Sequence, residues 1–427
     1  MKTKLLLLLF VSTFGFAQQR TCGMQEHMNQ MMFNPVLKKQ YEERQAKFKI
    51  EYQKIIDKQN AQKNGNVIQS TNAVIRIPVA VHYPSAASAN ATLRTCLRGF
   101  AQNQIDILNA DYNATNADLS NWINDSAFYP GINVGDLDVE FVLATQNHPA
   151  GTGLVNGDVA VTFGTDFLPG ANEDQDPTWS GYMNFVVRNI SGGILGYSPL
   201  GGSPNAGQTV VMDNNAFASG AGCTGYVPGA PYNLGRTVTH ELGHFFNLDH
   251  TFKSGNQNAT NCAGADQDGI ADTPKQAAAT YGCAAAGSID ACNAPEKVLS
   301  MNYMDYSNDA CMYMFTEGQK NVMLAYINSI VSDFKPNVLN NSTFATSGFS
   351  IYPNPSTGTF NLQFKEIISD FNVEIYDITG KMVYVNEFYQ NTDLVKEIKI
   401  QDEVSRGIYF LKIKTNEGLF TKKIIID

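Results

Sequence analysis

Three of the six histidines in this 427-residue chain fall in the stretch His240-Glu241-Leu242-Gly243-His244-Phe245-Phe246-Asn247-Leu248-Asp249-His250. No other feature constrains the fold as strongly. Residues four apart stand on one face of an α-helix, so His240 and His244 can share a metal ion only if this stretch is helical. His250 lies too far round for the same helix to supply it, and the chain must turn after His244. Asn247 is the expected turning point, because asparagine tolerates the left-handed backbone better than most non-glycine residues. Three neutral imidazoles leave one tetrahedral position open, as a catalytic zinc requires; a structural site would be closed by a fourth protein ligand. No cysteine stands in this window to close it. Glu241, one residue further round, is placed to act as general base toward a water at the open position.

A helix of this kind needs a frame, and the flanking sequence supplies one. Val74 to Tyr83 reads as a buried strand, residues 92–113 as a helix with Leu93, Leu97, Phe100, Ile105 and Leu108 on one side, then Val139–Leu143, Tyr182–Arg188 and Val210–Met212 as strands. Strand, helix, strands and then the histidine helix make an α/β arrangement with a mixed sheet. Composition shifts near residue 337. Beyond it, Phe360–Phe364, Val373–Tyr376, Ile408–Lys414 and Leu419–Ile426 alternate with period two between turn signals, which predicts a small all-β sandwich.

The histidine window resembles the motif of the metzincin clan, His-Glu-x-x-His-x-x-Gly-x-x-His, with Asn247 in place of the glycine. Asn302-Tyr303-Met304-Asp305-Tyr306 matches the clan's methionine turn. The resemblance implies that Met304 floors the metal site and that the Tyr306 hydroxyl stabilises an oxyanion. Within the clan, residues 72–337 are most similar to the pappalysin family. The similarity runs through Ile77–His82, Asp111-Tyr112-Asn113, Val211–Asn215 and Asp272-Thr273-Pro274. It implies a zinc metalloendopeptidase acting on protein or peptide substrates. A scaffold or adhesin that kept the fold but lost catalysis is the alternative, and it would have no use for Glu241.

The resemblance also implies two interleaved disulfides, Cys262–Cys292 and Cys283–Cys311, although four cysteines by themselves permit three pairings. Cys96 and Cys223 are left as a third pair or as two buried thiols. The loop Gly264–Thr273 is rich in oxygen donors of the kind calcium takes, and Asp268 and Thr273 match the family's calcium positions. A solvated acidic loop is the plainer reading. Some relatives select a basic residue just after the scissile bond with an aspartate directly before the last cysteine. Ala310 occupies that position here, with Asp309 one residue earlier, so an apolar or broader preference is expected.

The two ends describe processing and delivery. Residues 1–17 combine Lys2 and Lys4, a short apolar run and Gly15-Phe16-Ala17, the pattern of a signal peptide. Residues 18–71 are expected to form a pro-segment, with an amphipathic helix over 36–58 and a polar linker over Gln59–Asn72. A helix that simply packs on the domain fits the same pattern. Arg20-Thr21-Cys22-Gly23 resembles the cysteine switch of related zymogens, which assigns the odd cysteine a role in latency. After a linker at 338–345, residues 346–427 resemble the sorting domain of the type IX secretion system. The resemblance rests on Phe349–Pro355, Ile375–Lys381, Gly407-Ile408-Tyr409 and the terminal Lys422–Asp427. It implies export through periplasm and outer membrane, with the secretion machinery as partner. A net charge of −10 argues against nucleic acid and anionic membranes as partners, and no apolar run is long enough to be an integral membrane segment.

Overall fold

The computed structural model describes residues 19–63, 74–167, 174–253, 262–265, 267–339, 349–364, 367–400, 404–415 and 418–426. The expected signal peptide and most of the two expected linkers lie outside these residues.

The N-terminal part is two helices, α1 (Met24–Phe33) and α2 (Pro35–Lys63). The second is longer than the 36–58 read from sequence, and its last residues are the start of the expected linker. α1 has no conventional apolar stripe; Met24, Met28 and Met31 form its buried side. Unbranched thioether side chains suit this role, because they fill an irregular surface without a fixed shape.

The central sheet begins with β1 (Ile75–Tyr83), buried from Ile77 onward as its continuous apolar run requires. After α3 (Ala91–Tyr112) and the single turn α4 (Trp122–Asp125) come β2 (Val139–Leu143), β3 (Val161–Phe163), β4 (Met183–Arg188), β5 (Gly196–Tyr197) and β6 (Thr209–Asp213). The order is β2-β1-β4-β6-β5, with β3 also on β1. All pairings are parallel except β5 with β6, so the sheet is mixed and β5 forms one edge. Asn90 caps α3 by accepting from Leu93 N at 2.9 Å. The helix then buries Leu97, Phe100, Ala101, Ile105 and Leu108 against the sheet, the spacing of one helical face. α5 (Arg236–Phe245) carries the histidine motif, and all ten of its residues are buried. α6 (Glu317–Ile330) starts from a reciprocal capping box between Thr316 and Gln319. Asp272 supports the same end, accepting from Thr316 Oγ1 at 2.7 Å and Gly318 N at 2.8 Å.

The C-terminal part is all antiparallel β. β7 (Phe349–Tyr352), β8 (Thr359–Phe364) and β11 (Val395–Lys399) form one sheet. β9 (Phe371–Asp377), β10 (Met382–Phe388), β12 (Gly407–Thr415) and β13 (Gly418–Ile426) form the other. The expected alternation appears directly: Phe360, Leu362 and Phe364 of β8 and Phe371, Val373 and Ile375 of β9 are buried, and their neighbours are not.

Candidate active site

The ligand helix is fixed from behind by polar groups. Arg236, at its start, forms a buried ion pair with Asp111, bonds Tyr303 Oη at 2.6 Å and reaches Asp118 at 2.9 Å. Asp111 also accepts from Thr239 Oγ1 at 2.6 Å, and Tyr112 Oη donates to Thr239 O at 3.1 Å. Burial pushes the Asp111 carboxyl up to about 6, against the pull of Arg236. The Asp111-Tyr112 pair therefore ties α3 to α5. These bonds could not be assigned from sequence, because the partners lie 67 to 128 positions apart.

On the front of α5 the three imidazoles converge. Nε2 of His244 lies 3.2 Å from Nε2 of His240 and 3.1 Å from that of His250, and the His240–His250 distance is 3.2 Å. His240 Nδ1 lies 2.7 Å from Tyr303 O and His244 Nδ1 lies 2.6 Å from Leu248 O. A carbonyl can only accept, so in both rings the proton sits on Nδ1 and Nε2 presents a lone pair. Burial keeps His240 and His250 neutral, well below the usual histidine range, and pushes His244 down to about 4. Two such lone pairs turned toward His250 Nε2, in a buried cluster of three neutral imidazoles, fit a cation, and the imidazole donors fit zinc. Asn247 makes the turn at φ +73°, as expected.

Met304 is fully buried beneath this cluster; a Cβ on Gly243 would come within 2.5 Å of its sulfur. Asp305, whose role the sequence did not signal, holds the methionine turn. It accepts from Thr280 N and Tyr306 N, both at 2.8 Å, and from Gln276 Nε2 at 3.1 Å. Tyr306 packs its ring 5.1 Å from that of His250.

Cys22 lies in front of the imidazoles. Its sulfur and the three histidine nitrogens all fall within 4.8 Å of one another. The thiol donates to Glu241 Oε2 at 3.2 Å, and Cys22 N donates to Tyr306 Oη at 3.4 Å. Burial, and then Glu241, raises the Cys22 thiol; burial pushes Glu241 up to about 8. The chain around Cys22 runs parallel to the edge strand β5, with Leu195 N bonded to Thr21 O at 3.0 Å and Gly23 N to Gly196 O at 2.9 Å. Gly196 lets β5 lie against Glu241, because a Cβ there would meet Glu241 Cγ at 2.9 Å. Arg20 enters a buried pocket, pairs with Asp309 and lies 5.0 Å from the Tyr232 ring centroid. Asp309 also accepts from Leu234 N at 2.8 Å and Arg236 N at 3.2 Å. Ala310, the position read from sequence as lining the specificity pocket, is exposed; the buried group is its neighbour Asp309.

The disulfides join Cys262 to Cys292, Cys283 to Cys311 and Cys96 to Cys223, which leaves Cys22 as the free thiol. Thr273 Oγ1 bonds both Asp268 oxygens, at 2.7 and 2.9 Å, while Asp272 turns away to α6 and Asp266 lies outside the described residues.

Residues 175–328, which hold the ligand helix and the methionine turn, match the family model described as pregnancy-associated plasma protein-A. The chain contains a pappalysin-family domain. Its last segment, residues 350–427, matches the secretion system C-terminal sorting domain, which marks the chain for secretion. No helix among the described residues is long and apolar enough to cross a membrane. An extracellular metalloprotease of Arthroderma benhamiae is 38% identical over 147 residues, 34% of this chain and 49% of that protein. One from Pyricularia oryzae is 39% identical over 155 residues, 35% of this chain and 48% of that protein. The chain thus spans about half the length of the curated relatives it matches. A solved promirolysin mutant of Tannerella forsythia is similar over 73% of this chain and 95% of its own, at 29% identity and a TM-score of 0.50. Mature mirolysin with a cleaved peptide is similar over 62% and 97%, at 28% identity and a TM-score of 0.49. The likeness to promirolysin, over 73% of this chain, fits the mixed α/β fold that precedes the all-β module.

Proposed function

We propose that this chain is a secreted zinc-dependent endopeptidase made in a latent form. One observation carries the reading: the Nε2 atoms of three buried imidazoles converge beside Glu241, and a thiol from the N-terminal segment occupies their open face. Zinc held by His240, His244 and His250 would supply a Lewis acid and lower the pKa of a water. Glu241 takes the proton from the attacking water and passes it to the leaving amine. Tyr306 Oη lies on the Cys22 side of the histidine cluster, where a hydroxyl donor would stabilise the developing oxyanion. The edge strand β5 offers the backbone groups on which a substrate peptide aligns.

Latency follows from the same contacts. Cys22 excludes water from the open position, and a cation among the four groups would reverse the burial that now favours the protonated thiol. Removing the N-terminal segment also empties the Arg20 pocket. Asp309 at its floor and Tyr232 on its wall suit an arginine or lysine side chain, so we assign a preference for basic residues beside the scissile bond. This replaces the apolar or broader preference inferred from Ala310. We retain a structural calcium at Asp268 and Thr273: burial pushes the Asp268 carboxyl up to about 7 beside Asp249 and Asp272, and a divalent cation would relieve that.

The test is cleavage of a diverse peptide library by the matured protein, read by mass spectrometry, with a zinc chelator and Glu241→Ala as parallel arms. We expect cuts next to arginine or lysine that disappear in both arms. A folded, zinc-loaded sample that cuts nothing would leave the silent scaffold. Cuts with no basic preference would remove the role given to Asp309.

A further inference from the structure

The N-terminal segment holds the rest of the chain at two places, and only one of them is the cleft. From Arg44 onward, α2 leaves the histidine site and lies along α6. Arg44 Nε donates to Gly201 O at 3.3 Å, and Gln45 Nε2 donates to Asn247 Oδ1 at 2.7 Å. Phe48 packs with its ring centroid 6.1 Å from that of Tyr326, and Tyr52 stacks on Phe48 at 5.7 Å. Gly201, at φ +68°, makes the approach possible: a Cβ there would meet the Gln45 and Asn247 amides at 2.7 and 2.8 Å.

Two features mark this contact as a docked ligand rather than a core element. Leu37, Tyr41, Arg44, Gln45, Phe48 and Tyr52 make a helical stripe that is half-buried, and no residue of α2 over the described side chains 35–61 is fully buried. A cavity of about 270 Å³ remains between the helix and residues such as Leu200, Ile270 and Val322. Charge favours the contact as well. The helix carries eight basic and four acidic residues in a chain of net charge −10. Burial raises the Asp333 carboxyl, and Lys47 and Arg44 of α2 oppose that rise.

We propose that the face made by Leu200–Gly202, Asn247 and α6 is a second docking site for the N-terminal segment, binding α2 without help from Cys22 or Arg20. This rests on the latent-enzyme reading above. Its consequence is that one cut between Lys63 and Val74 does not open the cleft. The freed segment stays bound through α2, which keeps Cys22 at a high effective concentration near the histidines. Opening then takes a second cut between α1 and α2, where Phe33 is 86% exposed.

The experiment uses the full chain with a site for a sequence-specific protease inserted between Lys63 and Val74. After nicking, gel filtration and intact mass report whether the N-terminal fragment remains with the rest. We expect the fragment to remain in the nicked parent and in nicked Arg20→Ala/Cys22→Ser. Adding Phe48→Ala/Tyr52→Ala to that double variant should release the fragment, with dissociation at least tenfold faster. Arg44→Glu should act in the same direction. Loss of the fragment from nicked Arg20→Ala/Cys22→Ser at the same rate with and without the α2 substitutions would overturn the proposal, as would immediate loss from the nicked parent. Retention is read by mass, not turnover. A chain that retains its fragment but never cuts a peptide would sink the peptidase reading and leave the docking site standing.

Discussion

Replacing Arg20 by alanine tests how the proposed latent state is held. Arg20 is 2% exposed, its guanidinium pairs with the fully buried Asp309, and the Tyr232 ring lies beside it. Deleting one partner of a buried ion pair costs about 3–5 kcal/mol, because the other charge is stranded. Two features lower that figure here. Asp309 keeps the N–H groups of Leu234 and Arg236, and water can enter the pocket once the segment lifts away. The remaining cost is about 2–3 kcal/mol. At ~1.4 kcal/mol per factor of ten, the open population rises about 30- to 150-fold. Two readouts on the uncut chain follow it: turnover of a quenched peptide, and the rate at which a thiol reagent modifies Cys22. Arg20→Lys should fall between parent and alanine, since lysine keeps the charge but not the planar fork. If Arg20→Ala matches the parent in both readouts while Cys22→Ser turns the enzyme on, the Arg20–Asp309 pair has no part in latency.

Three further outcomes follow from the site. Gly243→Ala should destabilise the protein by about 1–3 kcal/mol, because the new methyl would come within 2.5 Å of the sulfur of the fully buried Met304; an unchanged melting temperature would contradict this. Asn247→Val should lose about 1–2 kcal/mol and weaken zinc binding, since a branched residue resists φ +73°, whereas Asn247→Gly should keep the metal; equal zinc affinities would remove the turn from the argument. His27 of α1 packs against Tyr197, and burial lowers its pKa below 6.5 although Asp174 pulls it up. The docked segment therefore prefers neutral His27. Its docking is at full strength above pH 6.5 and weakens as pH falls from there through the lowered pKa. Cys22 modification rates, divided by those of a free thiol at the same pH, should rise from pH 7.5 to 5 in the parent and stay flatter in His27→Gln.

Sequence alone determined what depends on near neighbours. The i, i+4 spacing placed His240 and His244 on one face, and Asn247 announced the left-handed turn that returns His250. Period-two alternation located β8, β9, β12 and β13, because alternate side chains on a strand face opposite sides. These signals fade where an element is too short for a period. β3 and β5 have three and two residues, and yet β5 is the edge that meets Cys22. α1 escaped notice because its buried side is methionine within a polar, glutamine-rich stretch.

What only the tertiary structure decided is which distant groups meet. Arg20 and Asp309 are 289 positions apart, and counting back from Cys311 led to Ala310, which faces solvent. Cys96 finds Cys223 across 127 positions because α3 and the loop after β6 pack on the same sheet. Gln45 reaches Asn247 because α2 lies along α6. A local pattern records which way a side chain faces. The partner it meets is set by how whole elements pack, and that depends on burying the apolar surface of the entire sheet at once.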